Sequence, residues 1–574
     1  MNYRQLQAVE SDARRLVLLA GAGTGKTYTL LNRTLHLLKK GVMPGQILVL
    51  TFTRHAAAEF NSRFITAAPN HAPADRPIAL TYHSFALHEI TQDPRAFNLH
   101  FHSVYDPAQA RQTFMQTCAT VKHLYPDVDT PAPEVLLAAK HLAVCHDNVD
   151  EVKAKFPAAE SFINGVFYEY DGFKREHGLV EFDDLMLAFH HRLQHDPPYA
   201  AALRNKIKHL LVDEFQDNNR LQDRIIRAIA AENICLVGDP NQSIYSWRGA
   251  APGMIAEWIK TPGVKTLTLD LNYRSGSHIV SLANHLMGKT KGGITLRPTK
   301  ISTEHVRELV AANPAEETDE CLKWFLRPLA KGQTRAVIAR TSFELELLQQ
   351  KLDEKGVRYS KLLKEEREDC AQFFTALCRL ASFPADQASY HRVAVALCGR
   401  QEADRLIDLL RQKHRVAFHG RLAAVPAVLS KLSNGEPGAA DAAVELAQTS
   451  AQFGLKYEAL NRIASEFKTN FAQAQTARMY VLGEFGSKKQ LAPLTISTMH
   501  SAKGLEWNEV WLLGVGAKQL PHPKAKSEGR LDEERRLALV GITRARDSMV
   551  LSYPQKLRGQ TQKSSPFIAH AVRR

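Results

Sequence analysis

The stretch LVLLAGAGTGKT, residues 16–27, decides the fold of this chain, because it joins an apolar segment to a helical one through a glycine-rich turn. The residues from Tyr28 to Leu38 have the composition of a helix. A strand that leads through such a turn into a helix N-terminus is the setting of a phosphate-binding loop. The loop departs from the general pattern G-x-x-x-x-G-K-[ST] at its first position, which is Ala20. The pattern predicts a nucleoside triphosphatase with a parallel α/β sheet.

The residue types of this loop suit a bound nucleoside triphosphate. Glycines let consecutive backbone N–H groups turn towards phosphate oxygens, and Lys26 would bring a positive charge to the β- and γ-phosphates. The Thr27 hydroxyl would ligate Mg²⁺. We therefore predict that the nucleotide lies against the residues Ala22, Gly23, Thr24, Gly25, Lys26 and Thr27.

A pair of carboxylates follows a second apolar strand, predicted at residues 209–212. Asp213 and Glu214 come at the carboxyl end of this strand, where parallel sheets place their ligand sites. Asp213 would hold Mg²⁺, and Glu214 would orient and deprotonate the attacking water. An acid-rich turn would be the ordinary interpretation of these residues alone. The phosphate loop earlier in the same α/β pattern favours an ATP site instead.

Composition and charge narrow the class of protein. The chain has 574 residues, of which 44% are hydrophobic and 23% charged, as is typical of a soluble protein with several domains. The formal net charge of +14 suits a polyanionic partner, most often a nucleic acid. No apolar run approaches the roughly 20 residues that cross a bilayer, and the N-terminus lacks the apolar core of a signal peptide. We predict a cytoplasmic protein without a membrane partner. The seven cysteines are scattered without a C-x-x-C pair, so we expect buried reduced thiols.

Strand-like apolar runs alternate with helical runs in two parts of the chain. The first α/β pattern runs from Leu16 to about Phe85 and returns at residues 209–212. The second begins near Leu267 and is broken by a mostly helical stretch at residues 365–485. These patterns predict two α/β lobes, each interrupted by a helical insertion.

Eight further stretches test this interpretation. They are NYRQLQAV (2–9), TFTRHAAAE (51–59), TYHSF (81–85), LVEFDDL (179–185), VGDPNQSIYSWRGA (237–250), NYRS (272–275), TMHSAKGLEW (498–507) and EERRLALVGITRA (533–545). Through these stretches the whole chain resembles the UvrD/Rep/PcrA family of superfamily one DNA helicases. Trp507 stands where phenylalanine is more familiar in that family.

The resemblance implies an α/β fold with two RecA-like parallel-sheet core domains of the P-loop NTPase type, each interrupted by a mostly helical insertion. The first core domain would comprise residues 1–86 and 179–266, with an insertion at 87–178. The second would comprise residues 267–364 and 486–574, with a reduced insertion at 365–485. The cofactors implied are ATP and Mg²⁺.

Residues of both lobes match the nucleotide site of this family. Phosphoryl transfer leaves negative charge on the γ-phosphate and the leaving oxygen, so cationic side chains must meet it. The resemblance assigns this role to Arg274 and Arg544 of the second lobe and makes Gln242 the sensor of the γ-phosphate. If these side chains converge with Lys26 and Glu214, ATP lies between the lobes. The resemblance also implies that Gln5 reads the edge of the adenine, that Tyr273 stacks on the adenine and that Glu506 bonds the ribose.

A short span after the predicted sensor carries the candidate contacts with a nucleic acid strand. Tyr245, Trp247 and Arg248 combine aromatic rings with a cation, which stack on unpaired bases and hold phosphates without reading sequence. Core packing is the alternative for Trp247, since large aromatic side chains are usually buried. The neighbouring Ser246 and Arg248 favour an exposed loop. Phe52 and Phe182 are further candidates for strand contact. His83, His500 and Lys503 are candidates either for strand contact or for the surface that couples the lobes.

These residues predict an ATP-dependent translocase that moves on single-stranded DNA and unwinds the duplex at single/double-strand junctions. The resemblance implies 3′→5′ polarity and a role in DNA repair, replication or recombination. The short insertion at residues 365–485 leaves an alternative, which is a DNA-stimulated motor subunit for a partner nuclease or repair protein, as in DNA-repair or phage-defence complexes. RNA also stays open as the substrate, because base stacking does not distinguish the sugars. A DNA-binding module without ATPase activity is disfavoured by the intact nucleotide-site residues.

Overall fold

A computed structural model describes most of the chain. The residues described are 1–69, 77, 79–99, 103–105, 107–146, 148, 150–229, 231–251, 253–288, 294–302, 306–362, 369–382, 387–411, 420–449, 463–465, 467–469, 471–472, 477, 480 and 493–569. Within these ranges, no helix combines the length and the apolar character that a membrane span requires.

The first lobe is built on a parallel sheet of six strands. From one edge to the other they are Ala79–Thr81, Ile47–Thr51, His209–Val212, Asn233–Gly238, Arg15–Ala20 and Val264–Leu269. The α-helices of this lobe are Tyr3–Val9, Lys26–Lys39, Arg54–Ala67, Tyr82–Ile90, Phe182–His195, Pro197–Lys206, Arg220–Ile229 and Met254–Ile259. Its 3₁₀ turns are Pro44–Gln46, Pro94–Phe97, Phe215–Asp217, Pro240–Gln242 and Ser246–Arg248.

The apolar runs of this sheet reflect burial on both faces. Along the strand Arg15–Ala20, Val17 joins the hydrophobic cluster on one face, whereas Leu16 and Leu18 join the cluster on the other. Side chains of a strand alternate between faces, so a strand with helices on both sides must be apolar throughout. The predicted strand at residues 209–212 is confirmed, and the apolar segment before the phosphate loop forms the strand Arg15–Ala20 for the same reason.

The second lobe repeats this arrangement with a second parallel sheet of six strands. Their order is Arg307–Ala311, Ala545–Pro554, Trp507–Leu513, Arg335–Ala339, Leu494–Thr498 and Ser360–Leu362. A parallel pair, Leu271–Gly276 and Arg297–Lys300, and an antiparallel pair, Lys556–Leu557 and Gln560–Thr561, accompany it. The helices are Ser277–Met287, Pro314–Phe325, Glu346–Glu354, Pro523–Ser527 and Leu531–Ile542, with a 3₁₀ turn at Phe343–Leu345. The prediction of two parallel α/β cores is confirmed.

The described residues of both insertions are mostly helical, and those of each insertion form a separate hydrophobic core. The first insertion holds the helices Pro107–Lys122, Pro133–His146, Glu151–Lys155 and Glu160–Glu176, a 3₁₀ turn at Pro157–Ala159, and the strand Ser103–Val104, which pairs with Leu179–Val180. The described part of the second insertion holds Asp369–Ser382, Gln387–Cys398, Arg400–Arg411, Val425–Asn434 and Ala439–Gln448, with a 3₁₀ turn at Gly420–Ala424.

The structure differs from two predicted boundaries. The boundary after residue 86 falls inside the helix Tyr82–Ile90, and the boundary after residue 266 falls inside the strand Val264–Leu269. This strand lies at the sheet edge with exposed side chains at Lys265 and Thr266, so it lacks the continuous apolar run that marks the central strands. The boundaries predicted near residues 364 and 485 lie outside the described residues.

The described cysteines are free thiols. Five of them are buried as predicted, namely Cys118, Cys145, Cys235, Cys321 and Cys378. Cys398 is exposed, which corrects the prediction for that residue.

Candidate functional site

The phosphate loop, residues 20–27, is shaped by two glycines in the left-handed region. The backbone angle φ is +69° at Gly23 and +85° at Gly25, which side chains with a Cβ atom rarely adopt. Gly25 is also the N-cap of the helix Lys26–Lys39, so the free N–H groups of its first turn face the loop. The buried Thr24 hydroxyl donates to the Gly21 carbonyl at 2.8 Å and braces the turn. The loop therefore offers backbone N–H groups and a helix N-terminus to an anion.

Asp213 and Glu214 face this loop from the end of a central strand. The Thr27 hydroxyl donates to Asp213 Oδ2 at 3.4 Å, and Lys26 Nζ lies 4.0 Å from Glu214 Oε1. Burial and the neighbouring Glu214 carboxylate raise the pKa of Asp213. Burial opposes the ionisation of Glu214, but the ammonium groups of Lys26 and Lys503 hold its pKa below the usual range. Glu214 is therefore ionised at neutral pH, as a general base must be.

The oxygen atoms at this point fit Mg²⁺. The hydroxyl of Thr27 and the carboxylate of Asp213 are hard oxygen ligands, which this ion takes together with phosphate oxygens and water.

The second lobe contacts the backbone carbonyl groups of the phosphate loop. The Asn272 side-chain amide donates to the Ala22 carbonyl at 2.8 Å, and the Tyr273 N–H donates to the Gly23 carbonyl at 2.9 Å. A Cβ atom added to Gly23 would lie 2.7 Å from both Arg274 Cβ and Asn272 Nδ2, so the approach of the lobes itself requires glycine here. The stretch NYRS (272–275) marks this segment, but it did not predict the contact of Asn272, because that contact depends on a partner in the other lobe.

The residues predicted to bind the adenine meet at the same cleft. Gln5 is buried, and its amide donates to the Thr24 carbonyl at 3.0 Å. Asn2, at the cap of the first helix, donates to the Tyr273 hydroxyl at 2.7 Å. The Tyr273 ring is 41% exposed, which leaves a face open for stacking. Gln5 and Tyr273 are thus brought together from opposite lobes.

The two predicted arginines, Arg274 and Arg544, are held by partners within the second lobe. Arg274 pairs with Glu506 and donates to the Thr543 carbonyl at 3.2 Å. Arg544 is 2% exposed, and burial and the charge of Arg274 lower its pKa to about 9. The first-lobe carboxylate of Glu214 opposes this shift, so the two groups interact across the cleft. Glu506, predicted to bind the ribose, is an ion-pair partner of Arg274 in this structure.

Gln242 lies where the lobes meet. Its side-chain amide donates to Asp239 Oδ2 at 2.5 Å. Lys503 of the second lobe donates to the Gln242 carbonyl at 2.7 Å and pairs with Asp217 at 2.5 Å. The Lys503 side chain is 8% exposed and lies 4.9 Å from the centre of the Tyr245 ring. Lys503 was predicted either to contact the strand or to couple the lobes. Its burial and its bonds to the first lobe favour a role in coupling the lobes.

The segment after Gln242 is embedded in the second lobe. Ile244 is fully buried in the hydrophobic cluster of that lobe, although the strand before it belongs to the first sheet. Arg536 donates to the Ser243 carbonyl at 2.6 Å, and the Ser246 N–H donates to Glu533 at 3.2 Å. We call residues 242–246 the coupling segment, since they join the candidate ATP sensor to the next aromatic residues.

Aromatic side chains form a row beside the coupling segment. The rings of Phe52 and Tyr245 stack with their centres 5.2 Å apart, and Trp247 follows at 6.3 Å from Tyr245. Trp247 is 54% exposed, which contradicts core packing and agrees with the predicted exposed loop. The Arg248 guanidinium lies 4.6 Å from the centre of the Trp247 ring. Rings and a cation in this order can hold a single strand through its bases and phosphates.

The three remaining predicted residues, His83, Phe182 and His500, differ in their surroundings. The rings of His83 and Phe182 meet edge to face, with centres 5.5 Å apart. Burial lowers the pKa of His83 to about 4 and that of His500 to about 4, so both are neutral at physiological pH. His500 interacts with Arg340, Glu534 and Glu533 rather than with the aromatic row. Neither histidine supplies positive charge to a phosphate.

Two family models match this chain. Residues 1–262 match the model of the UvrD/REP helicase N-terminal domain. Residues 461–556 match the model of the UvrD-like helicase C-terminal domain. Together the two matched ranges cover more than half of the 574 residues.

Several curated proteins are similar along almost the whole chain. ATP-dependent DNA helicase PcrA of Leuconostoc citreum is 27% identical over 646 residues, covering 99% of this chain and 84% of that protein. ATP-dependent DNA helicase UvrD2 of Mycobacterium tuberculosis is 28% identical, covering 96% and 78%. Putative ATP-dependent DNA helicase YjcD of Bacillus subtilis is 26% identical, covering 99% and 80%.

Proposed function

Since this chain belongs to the UvrD/REP family of helicases, we propose that it is an ATP-driven motor that moves along single-stranded DNA in the 3′→5′ direction and unwinds the duplex it meets. ATP would bind between the lobes and close them, and hydrolysis would allow them to reopen. We further propose a role in DNA repair, replication or recombination.

The observation that carries this proposal is the coupling segment. Its first residue, Gln242, is the proposed γ-phosphate sensor and donates to Asp239, and Tyr245 and Trp247 belong to the aromatic row. Two residues, Ser243 and Ile244, separate Gln242 from Tyr245, and both are held by the second lobe. A change at the nucleotide that moves one lobe against the other would therefore move the rings that hold the strand.

The hydrolysis step follows from the charges in the cleft. Glu214 would accept a proton from the attacking water, since its carboxylate is ionised at neutral pH. Lys26, Arg274 and Arg544 would meet the negative charge that develops on the phosphates. Mg²⁺ bound by Thr27 and Asp213 would neutralise the β- and γ-phosphate oxygens. In this structure Arg274 is paired with Glu506. When ATP binds, its phosphates would take the place of Glu506 as the partner of Arg274.

DNA is favoured over RNA as the strand. The aromatic row reads no sugar by itself, so the argument comes from the relatives, whose names describe DNA helicases. The sequence-independent chemistry of rings and Arg248 suits a motor that must pass over every base.

A second candidate is a DNA-stimulated motor subunit of a nuclease or phage-defence complex, with little unwinding of its own. The observation that favours it is length, because the match to PcrA extends over 646 residues, more than this chain contains. The relative thus carries residues that this chain lacks. Co-purification of a stoichiometric nuclease from the native source would support this candidate.

The test is unwinding of duplexes with a 3′ tail, a 5′ tail or no tail by the purified chain. We expect ATP-dependent unwinding from the 3′ tail alone. Lys26→Ala should abolish hydrolysis and unwinding but retain DNA binding, whereas Lys40→Ala, an exposed lysine just past the same helix, should behave as wild type. Unwinding only from the 5′ tail would refute the polarity, and full ATPase activity of Lys26→Ala would refute the site.

A further inference from the structure

The helix Pro133–His146 of the first insertion supports the loop that carries Trp247. Cys145 near its end donates its S–H to the Arg248 carbonyl at 3.4 Å. A Cβ atom added to Gly249, whose φ is +78°, would lie 2.5 Å from Cys145 Cβ. The loop therefore lies directly on this cysteine, and one of its carbonyl groups is satisfied by it.

The same helix also contacts the other side of the candidate DNA surface. His141 Nδ1 lies 2.9 Å from Asp183 Oδ2. Asp183 follows Phe182, whose ring meets His83 edge to face. Hydrogen bonds to Asp183 and Cys145 raise the pKa of His141 to about 10, so its ring is a cation at neutral pH. Each of its two nitrogens then carries a proton.

His141 and Cys145 are one helical turn apart and face each other, with Nε2 3.6 Å from Sγ. A cationic ring donates from Nδ1 to Asp183 and from Nε2 to the sulfur, which leaves the S–H proton for the Arg248 carbonyl. The contacts form one continuous chain from Asp183 to Arg248. This chain connects the Phe182 side of the surface with the Trp247 side.

We propose that His141 and Cys145 are positioning residues that hold the two sides of the DNA-contact surface at a fixed separation. Bases stack at a fixed spacing, so rings that are already in place bind a strand without the cost of ordering the loop. This inference rests on the proposed function, because it assigns a role to residues that support the strand site.

A nucleophilic role for Cys145 does not fit the structure, although a thiol, an imidazole and a carboxylate in a row are typical of such sites. Cys145 is 3% exposed, and its sulfur is enclosed by the loop that it supports. A substrate has no path to it while the loop is in place.

The test is ATP hydrolysis by the full chain against the concentration of a single-stranded oligonucleotide. Cys145→Ala and His141→Ala should each raise the concentration for half-maximal stimulation about five-fold, the effect of one hydrogen bond, with basal and maximal rates unchanged. Cys145→Ser should restore the wild-type value, since a hydroxyl can donate to the Arg248 carbonyl. The double alanine variant should show no more than the larger single effect, because the residues act as a unit.

Cys118→Ala is the matched control, since Cys118 is also a buried thiol but lies in the core of the first insertion. It should leave the half-maximal concentration unchanged. The inference is overturned if Cys145→Ala stays within about two-fold of wild type or if Cys118→Ala shows an equal rise. A wild-type rate that DNA does not raise would contradict the proposed function, and with it this inference.

Discussion

Trp247 is the residue whose exposure bears most directly on DNA binding. Its ring is 54% exposed and is flanked by Tyr245 and Arg248. Stacking contributes about 1–3 kcal/mol per base, so Trp247→Ala should raise the DNA concentration for half-maximal ATPase stimulation roughly ten-fold. The basal rate should not change. Titration of ATP hydrolysis with an oligonucleotide measures both.

Tyr168→Ala provides the comparison for Trp247→Ala, because Tyr168 is an aromatic residue of the first insertion that is 72% exposed and outside the aromatic row. It should leave the titration unchanged. If Trp247→Ala and Tyr168→Ala behave alike, Trp247 does not stack on the strand.

Asp217 gives the contact between the lobes a pH dependence. Burial raises its pKa to about 6, despite the ion pair with Lys503. Above that pH the carboxylate is charged and the ion pair is complete; below it the carboxyl is protonated and the attraction is lost. We expect DNA-stimulated hydrolysis to fall as the pH drops through about 6, and Asp217→Asn to remove this step from the pH profile. A step of the same size in Asp217→Asn would assign it to another group.

The coupling segment is the element through which the lobes act on the strand. Ser246 donates from its N–H and its hydroxyl to the two oxygens of Glu533. The amide in Glu533→Gln offers a single acceptor oxygen, so one donor is left unpaired at a cost of about 1–3 kcal/mol. We expect the ratio of DNA-stimulated to basal ATPase to fall several-fold, with the basal rate retained. The neighbouring Asp532→Asn, at an exposed position of the same helix, should leave the ratio unchanged.

At the level of elements, sequence patterns predicted what depends on local composition. The strands at residues 47–51 and 335–339 were predictable because both faces are buried, which makes every residue apolar. The phosphate loop was predictable because its turn needs glycines. Asn272 and Ile244 were not, since each acts on the opposite lobe and its residue type is unremarkable in its own segment. His141 and Cys145 were missed because their partners, Asp183 and the Arg248 carbonyl, are distant from them in the sequence.

The two lobes share a hydrophobic core through Ile244, whereas the described part of the second insertion has a core of its own. The second insertion has a separate hydrophobic core, in which Phe374 and Phe467 stack with their centres 4.4 Å apart. Its Arg379 reaches the Val104 carbonyl of the first insertion at 2.7 Å. A part with its own core can unfold on its own.

We therefore expect calorimetry to resolve at least two thermal transitions. A non-hydrolysable ATP analogue should raise only the transition of the lobes, because a ligand stabilises the part that binds it. Phe374→Ala should lower only the transition of the second insertion, by about 3–5 kcal/mol in unfolding free energy. A single transition that moves with both changes would show that the insertion and the lobes unfold together.

The burial of Ile244 limits how this protein can be divided into fragments. A fragment that ends with the first sheet at Leu269 would expose Ile244 to solvent, while one that starts at Leu271 would keep an unfilled cavity in its core. A residue from the first half of the chain thus forms part of the hydrophobic core of the second lobe. Chimeras that exchange one lobe with a relative must match residues 242–246 to the lobe that encloses them, or both halves lose stability at the junction.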